Sequence, residues 1–194
     1  MRVLRAVLIL VWCWSIAEPA RAQTTDRVEV ALQVGLLRLT GLDATDSGVG
    51  GRVSWNLTEA AALEAVADFF PTGAGNVPRG GRKLHALAGP RVGWRTDRVG
   101  LFAKARAGIA RVSEGRQTGA CILIFPPPEA CYSADTRLAF DFGGGLEVYP
   151  SPRSSLRLDV GSLVTHLGPT SARFGQTGDF VRDLNVTGSV GFKF

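Results

Sequence analysis

His85 and His166 are the two imidazoles of a 194-residue chain. A histidine within hydrogen-bond reach of a hydroxyl can act as general base to a nucleophile, the minimum requirement for acyl transfer. The stretch SLVTH brings Ser162 and Thr165 close to His166 in sequence, so this chemistry is the first to weigh. The other ionisable groups follow a different pattern. Glu29, Glu64, Asp68, Asp141, Glu147 and Asp159 recur with Arg52, Arg91, Lys104, Arg106, Arg157 and Lys193, and wherever two share a segment their separation is even. Even spacing places them on one face of a strand, where opposite charges can satisfy one another. Such a set reads as structural filling rather than a catalytic constellation, and it calls for neither metal nor cofactor. Gly143–Gly145 lies inside an alternating run, without the strand-to-helix turn that a phosphate loop needs.

The elements that must position these groups begin after an N-terminal leader. MRVLR is basic, AVLILVWCWSIA is an apolar run of twelve, and Ala20-Arg21-Ala22 is a small-x-small site. This is the layout of a secretory signal peptide over residues 1–22, with cleavage expected before Gln23, and the run is too short for a membrane-spanning helix. One domain over 23–194 is expected to remain. Removing Arg2, Arg5, Arg21 and Glu18 leaves 19 basic and 16 acidic side chains, a balance too mild to argue for nucleic acid. Cys13 leaves with the leader, so Cys121 and Cys131 are an even pair in an exported chain and are assigned a disulfide.

No later stretch is apolar for eighteen residues, so the route left across a bilayer is a closed β-barrel. Eight segments alternate with period two: 27–39, 48–57, 62–70, 83–95, 99–112, 139–149, 155–164 and 184–194. In the last of them Leu184, Val186, Gly188, Val190, Phe192 and Phe194 share one face, and Asn185, Thr187, Ser189, Gly191 and Lys193 share the other. The third segment has an Ala-rich start that could also be helical. Connectors 58–61, 95–98 and 150–154 are short, whereas 40–48, 70–82, 112–137 and 167–179 are longer and rich in Gly, Pro, Asp and Thr. An even strand number with turns of alternating length predicts an all-β, eight-stranded antiparallel up-and-down transmembrane β-barrel, with short periplasmic turns and long extracellular loops.

A soluble exported barrel or sandwich also alternates, but it points its apolar face inward. Three features favour the membrane. Trp55, Trp94, Phe192 and Phe194 fall at the short-turn end of the apolar face, and Phe69, Phe140 and Phe180 fall toward the opposite end, which makes two interfacial girdles. Charges of the same parity are Arg38, Arg82, Arg111 and Arg182, all at the roots of the long connectors, where a charge costs little and lipopolysaccharide phosphates would attract it. These four are expected to form a loose collar. Finally, eight strands enclose only enough space for side chains, so six acids and six bases on the polar face must neutralise one another inside.

The segments GPRVGW, FGGGLEVYP, SLRLDVG and VTGSVGFKF resemble the small eight-stranded outer-membrane barrels, the porin-like family that includes the transmembrane domain of outer membrane protein A. The resemblance covers residues 26–194. It implies location in the bacterial outer membrane and insertion by the barrel assembly machinery, which reads a final strand ending in an aromatic residue, here Phe192 and Phe194. It also implies a structural or surface-contact role in membrane integrity, adhesion or resistance to host factors. Narrow transport of small or apolar solutes is the alternative, followed by a barrel enzyme that modifies lipid A. For that last role SLVTH does not match the expected pattern; His85 reads as lumen filling and His166 as a loop residue. The connector 112–137 is the most individual part of the chain. Its cysteines bracket ILIFPPPEA, and Ile122, Leu123, Ile124 and Phe125 are the candidates for recognising an extracellular partner.

Overall fold

The computed structural model describes residues 27–40, 44–71, 81–117, 132–166 and 180–194. The leader, Cys121, Cys131 and Ile122–Phe125 lie outside these residues. Eight strands follow in chain order: β1 (Val28–Leu39), β2 (Ala44–Asn56), β3 (Ala61–Phe70), β4 (Lys83–Arg95), β5 (Val99–Gln117), β6 (Tyr132–Ser151), β7 (Ser154–His166) and β8 (Phe180–Lys193). Each pairs antiparallel with its sequence neighbour, and β8 returns to β1, so the sheet is a closed up-and-down barrel. The backbone of Phe194 continues this last seam, donating to the Val28 carbonyl at 2.8 Å.

Alternation decides which face is which. In β1, Glu29, Ala31, Gln33 and Leu37 are buried, while Val30, Leu32, Val34 and Leu36 are exposed. The apolar face is thus the outer one, and polar groups fill the lumen. The Ala-rich start of the third segment is strand from Ala61, because its Leu63–Phe69 face joins the outer surface in register with β2 and β4. Short turns close where hydroxyls replace strand partners: Thr58 Oγ1 accepts from the Ala60 and Ala61 amides, and Thr96 both donates to the Val99 carbonyl and accepts its amide. In β4 the ladder to β5 skips Gly89 and Pro90, where proline has no N–H to give.

Following register partners around the outer face from Val28 leads through Trp55, Leu63 and Pro90, across the skipped rung to Ala105, and on through Phe142, Ser162 and Leu184 to Arg38. One circuit therefore climbs from residue 28 to residue 38, a shear of ten. At about 3.3 Å per residue, against about 4.7 Å between strands, eight strands with this shear tilt by about 40°.

Two expected boundaries move. The connector placed at 40–48 shrinks to 40–43, because Ala44–Ser47 pair with Leu36–Leu39. The connector placed at 112–137 shrinks to 118–131, because β5 and β6 run on past a register shift between Val112 and Arg116 to pair Gln117 with Tyr132. The β5–β6 hairpin thereby stands several residues above the ends of the other strands.

Candidate functional site in the lumen and at the outer rim

Period two on every strand turns one polar residue after another into the same small interior. Among the described residues eight acidic and seven Lys or Arg side chains are buried, so the lumen is close to neutral when ionised. Arg157 of β7 is the hub. Its Nε donates to Asp159 at 2.7 Å, its Nη2 donates to Glu64 of β3 at 3.2 Å, and Glu147 of β6 lies at 3.4 Å. The guanidinium also stacks on Phe102, 3.8 Å from the ring centre. Around it, Arg52 joins Glu29 at 2.6 Å, Lys104 bridges Asp141 and Asp159 at 3.1 Å each, and Arg106 reaches Asp141 at 2.8 Å. Arg91 pairs with Glu147 and, at 3.4 Å, with Glu64. A buried charge left alone is costly, so such sharing is what permits so many at this depth.

Ten of the twelve expected lumen residues enter these ion pairs. The other two are held differently: Asp68 takes the Gln33 amide, and Lys193 lies over the Tyr149 ring at 4.0 Å near the short-turn mouth. Toward the long-loop end an apolar layer follows, formed by Leu37, Leu39, Phe70, Ala110, Ala139 and Leu163 with their neighbours. A second polar set rims it: Lys83 pairs with Asp46, Arg137 with Asp135 at 2.6 Å, and Asp183 accepts the Thr40 amide at 3.1 Å. None of these five was singled out from the sequence. Lys83 already stands on the inward parity of the fourth expected segment, and extending the parity of the second, sixth and eighth segments by a few residues reaches Asp46, Asp135, Arg137 and Asp183.

Ser162 and His166, close in sequence, do not meet. His85 is buried in the lumen beside Phe70, with ring centres 5.2 Å apart. His166 ends β7 on the outer face, edge-on to Phe180 at 5.1 Å, and is therefore a strand residue rather than a loop residue. Ser162 Oγ accepts from Arg182 Nε at 2.6 Å. It lies four strand residues from His166, or about 13 Å, far beyond hydrogen-bond reach.

On the outer face Trp55, Trp94, Phe192 and Phe194 are exposed at the short-turn end, and Phe69 and Phe180 toward the other. All four outer arginines are exposed. The ladders resolve them into two pairs. Arg38 opposes Leu184, which makes Arg182 its diagonal neighbour across β1–β8. Arg111 opposes Leu84, and the Arg82 carbonyl accepts the Ser113 amide, which makes Arg82 and Arg111 diagonal across β4–β5. Diagonal neighbours lie about 7–8 Å apart, within reach of long side chains. The two seams are four strands apart in an eight-stranded ring, hence on opposite sides. With the tilt above, Val28 and Arg38 on β1 are separated by roughly 25 Å along the barrel axis, the height of the apolar band of a spanning barrel.

No protein-family model matches the chain, and no curated protein matches it by sequence. Solved structures do. The N-terminal β-barrel domain of Pseudomonas aeruginosa OprF superposes with a TM-score of 0.51 at 14% identity, covering 89% of this chain and 100% of that one. Neisserial surface protein A (NspA) gives 0.54 at 14% identity, covering 86% and 96%. The chain has the fold of the small eight-stranded outer-membrane β-barrels.

Proposed function

We propose that this is an exported bacterial outer-membrane protein whose role is structural and surface-interactive, with no catalytic site. One observation carries the reading: the barrel wears its apolar side chains outside, in a band bounded by aromatics and arginines, and keeps its ions inside. In water this distribution would be inverted. Side chains fill the lumen, which favours a membrane anchor and display scaffold over a conduit. The raised β5–β6 hairpin supports contact with a partner through residues 112–137, and a Cys121–Cys131 disulfide would stiffen its tip. Residues 1–22 serve as the cleaved export signal. The outer arginines contact lipopolysaccharide phosphates, and the outward Phe192 and Phe194 mark β8 for the barrel assembly machinery.

Leu32→Arg tests the membrane reading. Leu32 is 77% exposed and lies near the middle of the band. In a bilayer the substitution is expected to cost about 2–4 kcal/mol, whereas at a water-exposed position it changes stability by about 0.5 kcal/mol or less. Urea titration in liposomes, read by the gel shift between folded and heated protein, distinguishes the two; an unchanged midpoint overturns the reading. For the assembly role, deleting Phe194 is expected to reduce the amount reaching the outer membrane severalfold while refolded protein keeps its unfolding midpoint. Normal levels in the membrane fraction would refute it.

A further inference from the structure

We propose that the β7–β8–β1 face holds one phosphorylated, acylated glycolipid of the outer leaflet in a defined place, its phosphate against Arg38 and Arg182 and an acyl chain in a trough over Gly188. The inference rests on the outer-membrane reading above and makes it specific to one side of the barrel.

The trough is an open, apolar hollow of about 920 Å³ on the outer surface, with Leu32, Val34, Leu156, Leu158 and Val190 among its walls. Its floor is Gly188. The ladders set Gly188 opposite Val34 on one side and Leu158 on the other, so it is the missing side chain between two apolar ridges. A Cβ built at Gly188 meets nothing within 4 Å. Up the same two strands stand Leu36 and Leu184, and above them the Arg38–Arg182 pair. Ser162 accepts the Arg182 Nε–H at 2.6 Å and so orders that guanidinium before any ligand arrives. A lipid whose anionic head sits at the rim must lay its chain down the wall beneath, and here the wall is hollowed. Cation above and hollow below are complementary to the two ends of one molecule.

The opposite seam differs in kind. Beneath Arg82 and Arg111 the outward residues are Leu84 and Ile109, then Ala86, Ala88, Ala105 and Ala107, so a side chain stands at each of these positions where the other seam has Gly188. The commitment to a glycolipid follows from height: the arginines lie at the end of the barrel that carries the longer connectors, the outward-facing side.

The test uses the folded barrel in nanodiscs with added hexa-acylated, bis-phosphorylated lipid A, and reads retained lipid by native mass spectrometry. Gly188→Leu fills the trough, and Gly188→Val serves as a second variant with the same purpose. Either is expected to lower retention about tenfold, equivalent to exposing about two methylenes. Arg38→Gln with Arg182→Gln should lower it comparably, and Arg82→Gln with Arg111→Gln by about twofold at most. Full retention by folded Gly188 variants overturns the trough. Equal losses from the two arginine pairs, with Gly188→Leu unaffected, overturn it while leaving the phosphate contacts of the proposed function standing. No loss from any variant overturns both. Equal displacement of phosphatidylglycerol, or a dimer that Gly188→Leu dissociates, would assign the trough to a phospholipid or to a second copy and refute the glycolipid.

Discussion

Replacing Arg157 with methionine is expected to lower the unfolding free energy by about 3–5 kcal/mol, the cost of breaking a buried ion pair by removing one partner. Methionine keeps much of the volume and the contact with Phe102, so the charge is what is lost. The Arg157 and Glu64 side chains are both fully shielded from solvent. The other carboxylates keep partial compensation: Asp159 retains Lys104 at 3.1 Å, and Glu147 retains Arg91. Glu64 is left with Arg91 at 3.4 Å and Arg106 at 4.0 Å, so it bears most of the penalty. Adding Glu64→Gln to Arg157→Met should therefore recover part of the loss, a coupling that a double-mutant cycle reads directly. Urea titration of the folded fraction in liposomes is the measurement. A single-variant loss under about 1 kcal/mol would remove Arg157 from the centre of the network.

Gly143→Val is expected to abolish folding, leaving only the heated-form band on the gel. Gly143 of β6 faces the lumen, and a Cβ there would lie 2.2 Å from the Val160 carbonyl oxygen and 2.6 Å from the Gly161 Cα. Both obstacles are backbone of the adjoining strand β7, so no rotamer change relieves them; the strands themselves would have to part. Recovery of folded protein at wild-type yield would contradict the close approach of β6 and β7. The contrast with Gly188 of β8, whose added Cβ would meet nothing within 4 Å, is informative. One glycine permits two backbones to meet, and the other leaves a vacancy in the outer wall.

That contrast marks the limit of what the sequence made legible. Alternation identifies the eight strands because lipid outside and ions inside impose the same period of two on each of them, and the lumen set from Glu29 to Lys193 follows from parity alone. Above the bilayer this selection fades, since water can meet both faces. Expected strand ends accordingly stopped short at Asp46, Asp135, Arg137 and Asp183, and the polar rim they form went unseen. Parity also placed Arg38, Arg82, Arg111 and Arg182 on the outside, and register adds that they stand as two diagonal pairs on opposite seams. Pairing across a seam depends on register, which is fixed by turn length and by the shear of the closed sheet. For glycines no pattern exists to read, because what matters is the distance to a neighbouring strand.

The long reach of the lumen pairs has a temporal consequence. Glu64 and Arg157 are 93 positions apart in the chain, and Ser155 and Glu29 are 126 apart. Contacts of such separation demand loop closure before they return any stabilisation, so they form late. Interactions absent from the folding transition state act chiefly on the rate of escape from the native state. The ion-filled interior therefore works as a latch: it contributes little to how fast the barrel closes and much to how rarely it opens.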